Sequence, residues 1–107
     1  MRNICQDTPL IIACYNNSID VVKFLITLDG IDINAQDYYG NTPLHEACRC
    51  NYRDIVEILI GFRGININIR NVQGDIPINM TRDKRINNLL TAPEKSVEDR
   101  KIKEVKN

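Results

Sequence analysis

Two apolar stripes at helical spacing, 34 positions apart, set the rhythm of the chain. Val21, Val22, Leu25 and Ile26 fall at i, i+1, i+4 and i+5, and Ile55, Val56, Leu59 and Ile60 repeat that spacing. Residues at these intervals share one face of a helix. The stripes therefore predict amphipathic helices over about 18–28 and 53–62. Asp20 falls in the first turn of the earlier one, where the helix dipole favours a carboxylate, and Lys23 is placed to pair with it. A shorter apolar segment opened by Thr-Pro precedes each stripe: Thr8-Pro9-Leu10 and Thr42-Pro43-Leu44. A threonine oxygen can cap the orphan N–H groups of a helix start, and proline at the first helical position loses nothing. Short helices are predicted from Pro9 to about Asn16 and from Pro43 to Asn51. Asn17 and Asn51 end them, because asparagine tolerates the left-handed turn that closes a helix.

A different period follows each stripe. Ile31-Asp32-Ile33-Asn34 and Ile65-Asn66-Ile67-Asn68 alternate apolar with polar. Alternation is the mark of a strand, and a β-meander is the rival reading. Each run is short and isolated between helices, so extended arms with at most a bridge or two of β pairing are expected.

The 34-residue offset holds at many positions. Thr8-Pro9-Leu10 returns as Thr42-Pro43-Leu44, Ala13-Cys14 as Ala47-Cys48, and Asp20-Val21-Val22 as Asp54-Ile55-Val56. A third copy starts at Asn71-Val72-Gln73-Gly74-Asp75-Ile76-Pro77 and departs from the pattern. Ile76 replaces the threonine cap, Asn79 stands where His45 stood, and about four residues are missing before Leu90. Arg82 to Arg85 then place Ile86, Leu89 and Leu90 on one apolar face. The expected organisation is a repeat domain over 1–90, with units of about 8–36, 37–70 and 71–90, and a charged tail over 91–107. Met1 to Asp7 should be a frayed start. Within the tail, Ser96 with Asp99 could form a capping box ahead of a thin stripe of Val97, Ile102 and Val105. A solvated tail, partly helical or disordered, is the plainer expectation.

Gly40-Asn41-Thr42-Pro43-Leu44-His45-Glu46-Ala47, followed by Ile55-Val56 and Leu59-Ile60, closely resembles an ankyrin repeat. The resemblance covers about Thr8 to Leu90. It implies an all-α solenoid of antiparallel helix pairs joined by hairpin loops, the third copy serving as a shortened C-terminal cap. Leu10, Ala13, Leu44 and Ala47 should fill the space between helix pairs. It also implies that His45 is structural, its ring tying neighbouring loops together, and that Tyr52 has a structural place between two helices. The family binds partner proteins through hairpin tips and the exposed sides of the first helices. Carried over by position, the tips are Tyr38, Tyr39 and Asn41, with Val72, Gln73 and Asp75 equivalent in the third copy. The first-helix positions are Tyr15, Asn16, Arg49 and Cys50. Tyrosine and arginine anchor interfaces most often, which favours Tyr15, Tyr38, Tyr39 and Arg49. Glu46 is placed to pair with Arg49.

Composition narrows the alternatives. The 107 residues fit one small domain, with 43% hydrophobic residues and no Trp. Fourteen basic residues balance fourteen acidic ones, so no overall field draws in nucleic acid or an anionic membrane. No apolar run of about 18 residues is present, and no apolar segment follows a basic start. A cytoplasmic chain is the default expectation, a nuclear one the alternative. Of Cys5, Cys14, Cys48 and Cys50, the middle two share one repeat position beside alanine, where a small buried residue is wanted. Their spacings do not suit a metal, so no metal or cofactor is expected. His45 is the single histidine, and no nucleophile motif, phosphate loop or His-Glu-x-x-His surrounds it, so no enzyme is expected. Two functions remain in view. One is an interaction module, a monomer or part of a larger array, for an unidentified protein. The other is a structural terminal segment of a longer stack, since Ile11, Ile12 and Ile19 could leave an apolar N-terminal edge.

Overall fold

Thr8 and Thr42 open the first helix of each pair as the sequence leads one to expect. Thr8 Oγ1 accepts from Ile11 N at 3.2 Å, and Thr42 Oγ1 from His45 N at 3.3 Å. The computed structural model describes residues 8–91. The frayed start and the tail beyond Thr91, with its Ser96–Asp99 box and Val97, Ile102 and Val105 stripe, lie outside the described residues, and Thr91 itself ends the last helix. Helices α1 (Pro9–Tyr15) and α2 (Ile19–Leu25) form a first pair, α3 (Pro43–Arg49) and α4 (Arg53–Ile60) a second. A 3-10 turn, Pro77–Met80, and α5 (Lys84–Thr91) form a third. First helices stack on first helices and second on second: α1 on α3 and α3 on the 3-10 turn, α2 on α4 and α4 on α5. Leu10, Ala13, Leu44 and Ala47 lie in the core between the layers, with Val22, Ile55, Val56, Leu59 and Ile86.

The asparagine stops work as expected. Asn17 has φ 56° and Asn51 φ 59°. Ser18 N reaches back to Ala13 O and Tyr52 N to Ala47 O, both at 2.9 Å, which satisfies the orphan carbonyls of α1 and α3. The helices are shorter than the periodicity suggests. In α2, Thr27 Oγ1 donates to Phe24 O at 2.6 Å, and Thr27 N and Leu28 N bond three residues back instead of four. The last expected turn of α2 is thereby tightened out of the α-helix. At the end of α4, Phe62 N likewise bonds Leu59 O. No ion pair joins Lys23 to Asp20 among the described residues; both are exposed, where such a pair is worth little.

The alternating runs do not form strands among the described residues. Side chains explain the outcome. Asp32 Oδ1 accepts from Asn34 N at 3.1 Å, and Asn66 Oδ1 from Asn68 N at 2.9 Å. Each side chain bends the backbone two residues on and competes with a sheet ladder. The arms are instead stitched by Asn34, which donates to Gly64 O and accepts from Asn66 N, both at 2.9 Å.

One face differs from expectation. Val21, placed with the inward stripe, is 47% exposed, while Ile55, 34 positions on, is fully buried. The first pair covers the second, and the corresponding side of the first pair carries no neighbour among the described residues. Ile11 is buried and Ile19 packs half-buried against the core; the apolar edge is made by Val21, Phe24 and Leu28.

Candidate protein-binding face

The hairpin tips are built by side chains that fold back on their own turns. Asp37 Oδ1 accepts from Tyr39 N and Asn41 N, each at 2.9 Å. Asn71, 34 positions on, does the same for Gln73 N at 3.0 Å and Asp75 N at 2.9 Å. Glycine closes each turn at positive φ, 78° at Gly40 and 83° at Gly74. Successive tips are joined by Val72 N donating to Tyr39 O at 3.0 Å and Asn71 Nδ2 donating to Asn41 Oδ1 at 2.9 Å.

His45 ties helix to hairpin. Thr42 N donates to its Nδ1 at 3.0 Å, so the ring carries its proton on Nε2, which donates to Asp75 O at 2.9 Å. Burial holds the ring below the ordinary histidine pKa, although the Asp75 carbonyl and the carboxylates of Glu46, Asp37 and Asp75 oppose that shift. The fully buried His45 is thus spent on the fold. Asn79 gives the third unit a partial copy, its Oδ1 accepting from Ile76 N at 3.0 Å.

Between α1, α3 and the first tip runs a groove of about 370 Å³. Ile12, Tyr15 and Tyr39 wall it, and Asp37, Glu46, Asn41 and Arg49 supply its polar atoms. A second groove of about 230 Å³ follows between the two tips, bounded by Tyr39, Asn41, Arg49, Asn71, Val72, Gln73 and Met80. Tyr39, Asn41 and Arg49 line both grooves and divide them. The Arg49 guanidinium lies 5.4 Å from the centroid of the Tyr15 ring, and its Nη2 donates to Glu46 Oε1 at 2.6 Å, with Nε adding a second bond at 3.2 Å. The bonds to Glu46 raise the guanidinium pKa further.

The structure brings Tyr15, Tyr39, Asn41, Arg49, Val72 and Gln73 together on these grooves. Tyr38 is 67% exposed at the tip and meets Tyr39 edge-on, with ring centroids 5.4 Å apart. Asn16 and Cys50 cap the ends of α1 and α3 and line neither groove. Asp75 holds its hairpin through its backbone, donating to Asn71 Oδ1 and accepting from Asn71 N and His45 Nε2. Tyr52 packs half-buried against the core. Sequence reasoning missed Ile11, Ile12, Asp37, Asn71 and Met80 as groove residues. The signal for Asp37 was its place two residues ahead of a tip tyrosine, where a carboxylate starts a turn.

Cys14 and Cys48 are buried, and burial pushes both thiols up to about 12, with the Glu46 carboxylate adding to the effect at Cys14. At neutral pH they behave as small core residues, not nucleophiles.

A family model described as ankyrin repeats (3 copies) matches residues 1–71 of the 107. The chain belongs to the ankyrin-repeat family. The match ends before the 3-10 turn and α5. None of the curated proteins matches the chain. Ankyrin repeats are in general protein–protein interaction modules and in general not enzymes. No helix among the described residues is long and apolar enough to cross a membrane.

Proposed function

We propose that this ankyrin-repeat chain binds a partner protein along the face formed by its hairpin tips and first helices, with Tyr15, Tyr38, Tyr39 and Arg49 as anchors. One observation carries the reading. Tyr15 and Tyr39, each more than half exposed, line two adjoining grooves whose frame is fixed by buried hydrogen bonds, and Tyr38, more exposed still, meets Tyr39 edge-on at the tip. A rigid, amphipathic surface of this kind offers contact area at small entropic cost. Peptides selected from a random displayed library against the folded chain test it. Replacing Tyr38 and Arg49 together by alanine should leave the chain folded and helical and weaken the selected peptides about tenfold or more. Peptides indifferent to that double substitution would show that the wrong face was chosen.

The other edge favours a second reading, a structural unit within a longer array. Val21, Phe24 and Leu28 are 47%, 62% and 42% exposed, and their counterparts Ile55, Ile58 and Phe62 pack into or against the core. This face has the shape and polarity to receive a further helix pair. If it is a stacking surface, replacing Phe24 by serine lowers self-association in sedimentation while leaving groove binding intact.

A further inference from the structure

We infer that the first groove is a pocket for a cationic side chain, a lysine or arginine carried on an extended segment of the partner protein. The inference rests on the binding face proposed above and names what one part of that face takes.

Asp37 and Glu46 are 9% and 6% exposed, and both line this groove. One oxygen of each is committed: Asp37 Oδ1 holds the turn, and Glu46 Oε1 takes both bonds from Arg49. Asp37 Oδ2 and Glu46 Oε2 have no hydrogen-bond partner among the described residues. No fully buried side-chain oxygen among those residues is left unsatisfied, so each of these two oxygens keeps some contact with solvent. Against the two carboxylates stands one guanidinium, already bonded to Glu46 and stacked on Tyr15. The polar end of the groove is therefore negative and rich in acceptors. The walls are apolar and aromatic, and they suit the methylene stem of a lysine or arginine whose head must reach a carboxylate. The Tyr15 and Tyr39 rings add an attraction for cations.

The repeat supplies its own comparison. In the second groove the positions of Asp37 and Glu46 are held by Asn71 and Met80. The architecture is kept and both carboxylates are gone, which leaves Arg49 as the charged residue there. A cation preference belongs to the first groove alone. Asn71 also shows that asparagine can build this turn, since its Oδ1 accepts the same two backbone N–H groups.

The test uses four capped tripeptides, glycine flanking a central lysine, arginine, norleucine or glutamate, titrated into the labelled full chain and followed by amide shifts. The lysine and arginine peptides should move the amides of Ile12, Tyr15 and Tyr39, and the other two should not. Asp37→Asn with Glu46→Gln should weaken the lysine peptide about tenfold with the fold intact. Raising salt from about 0.05 to about 0.5 M should weaken the lysine peptide in the native chain, a readout that does not depend on the variant folding. Norleucine binding as tightly as lysine, a glutamate preference, unmoved groove amides, or affinity indifferent to both salt and the double substitution would each overturn the proposal. Library peptides that still depend on Tyr38 and Arg49 would then keep the binding face while the cationic pocket falls.

Discussion

Gly40 and Gly30 share a positive φ, 78° in each, but not an environment. A Cβ added at Gly30 meets nothing within 4 Å. A Cβ added at Gly40 would lie 2.8 Å from Val72 N, 2.9 Å from Asn71 Cα and 3.1 Å from Asn71 C. Those are backbone atoms of the next hairpin, so no rotamer change relieves the clash. Replacing either glycine by alanine incurs the same left-handed cost of about 1–2 kcal/mol, offset alike by the stiffer unfolded chain. The difference between the two variants therefore isolates the stacking of the tips. Val72 N is also the donor to Tyr39 O, so moving the hairpin weakens a bond worth about 1 kcal/mol. Overpacking adds about 1–3 kcal/mol. Gly40→Ala should then be less stable than Gly30→Ala by about 2–4 kcal/mol, or at least about 10 °C in melting temperature for a domain of this size. Urea and thermal melts followed by circular dichroism read this directly. Midpoints that agree within about 0.5 kcal/mol would refute the close approach of the two hairpins.

Ala47→Glu places a carboxylate at a fully buried position between helices, at a cost comparable to the whole stability of about 5 kcal/mol, so no cooperative melt should remain. His45→Asn should keep the bond from Thr42 N, as Asn79 does for Ile76 N, but lose the one to Asp75 O, and so destabilise by about 1–2 kcal/mol. The native chain should hold its full stability above pH 6.5, the ordinary histidine value, and lose part of it as pH falls from there toward the lowered folded pKa. The unfolded chain takes up the proton first in that window. His45→Asn should abolish that part of the pH dependence, and urea melts across the acid range measure it.

The helix pairs were legible because local chemistry and repetition agree. Thr8, Thr42, Asn17 and Asn51 act through their own backbone neighbourhoods, and the 34-residue offset says twice what each is for. The alternating runs were read as extended arms from their shortness and isolation, not from their period, since Asp32 and Asn66 redirect the backbone by bonds that a hydrophobic pattern does not register. Val21 was misplaced. Its stripe is identical in spacing to that of Ile55, and only the presence or absence of a neighbouring unit decides which is covered. Tyr39 and Arg49 could be found as exposed side chains, but their position between two grooves depends on how adjacent hairpins meet. No single repeat contains that information.

The same repetition shows where the chain has diverged within a constant frame. Positions held alike in both hairpins maintain the stack: glycine at 40 and 74, and an oxygen acceptor at 37 and 71. Positions that differ while keeping their place in the frame change the surface. Ile12, Glu46 and Met80 occupy one position in three units, as do Tyr15, Arg49 and Asp83. Stacking alone does not call for a charge there: Ile12 and Met80 fill the position without one. Glu46 is tolerated because Arg49 neutralises it, and Arg49 is steadied by Tyr15 from the preceding unit. The charge of the groove is therefore a property of the junction between units, and a partner that reads it reads two repeats at once.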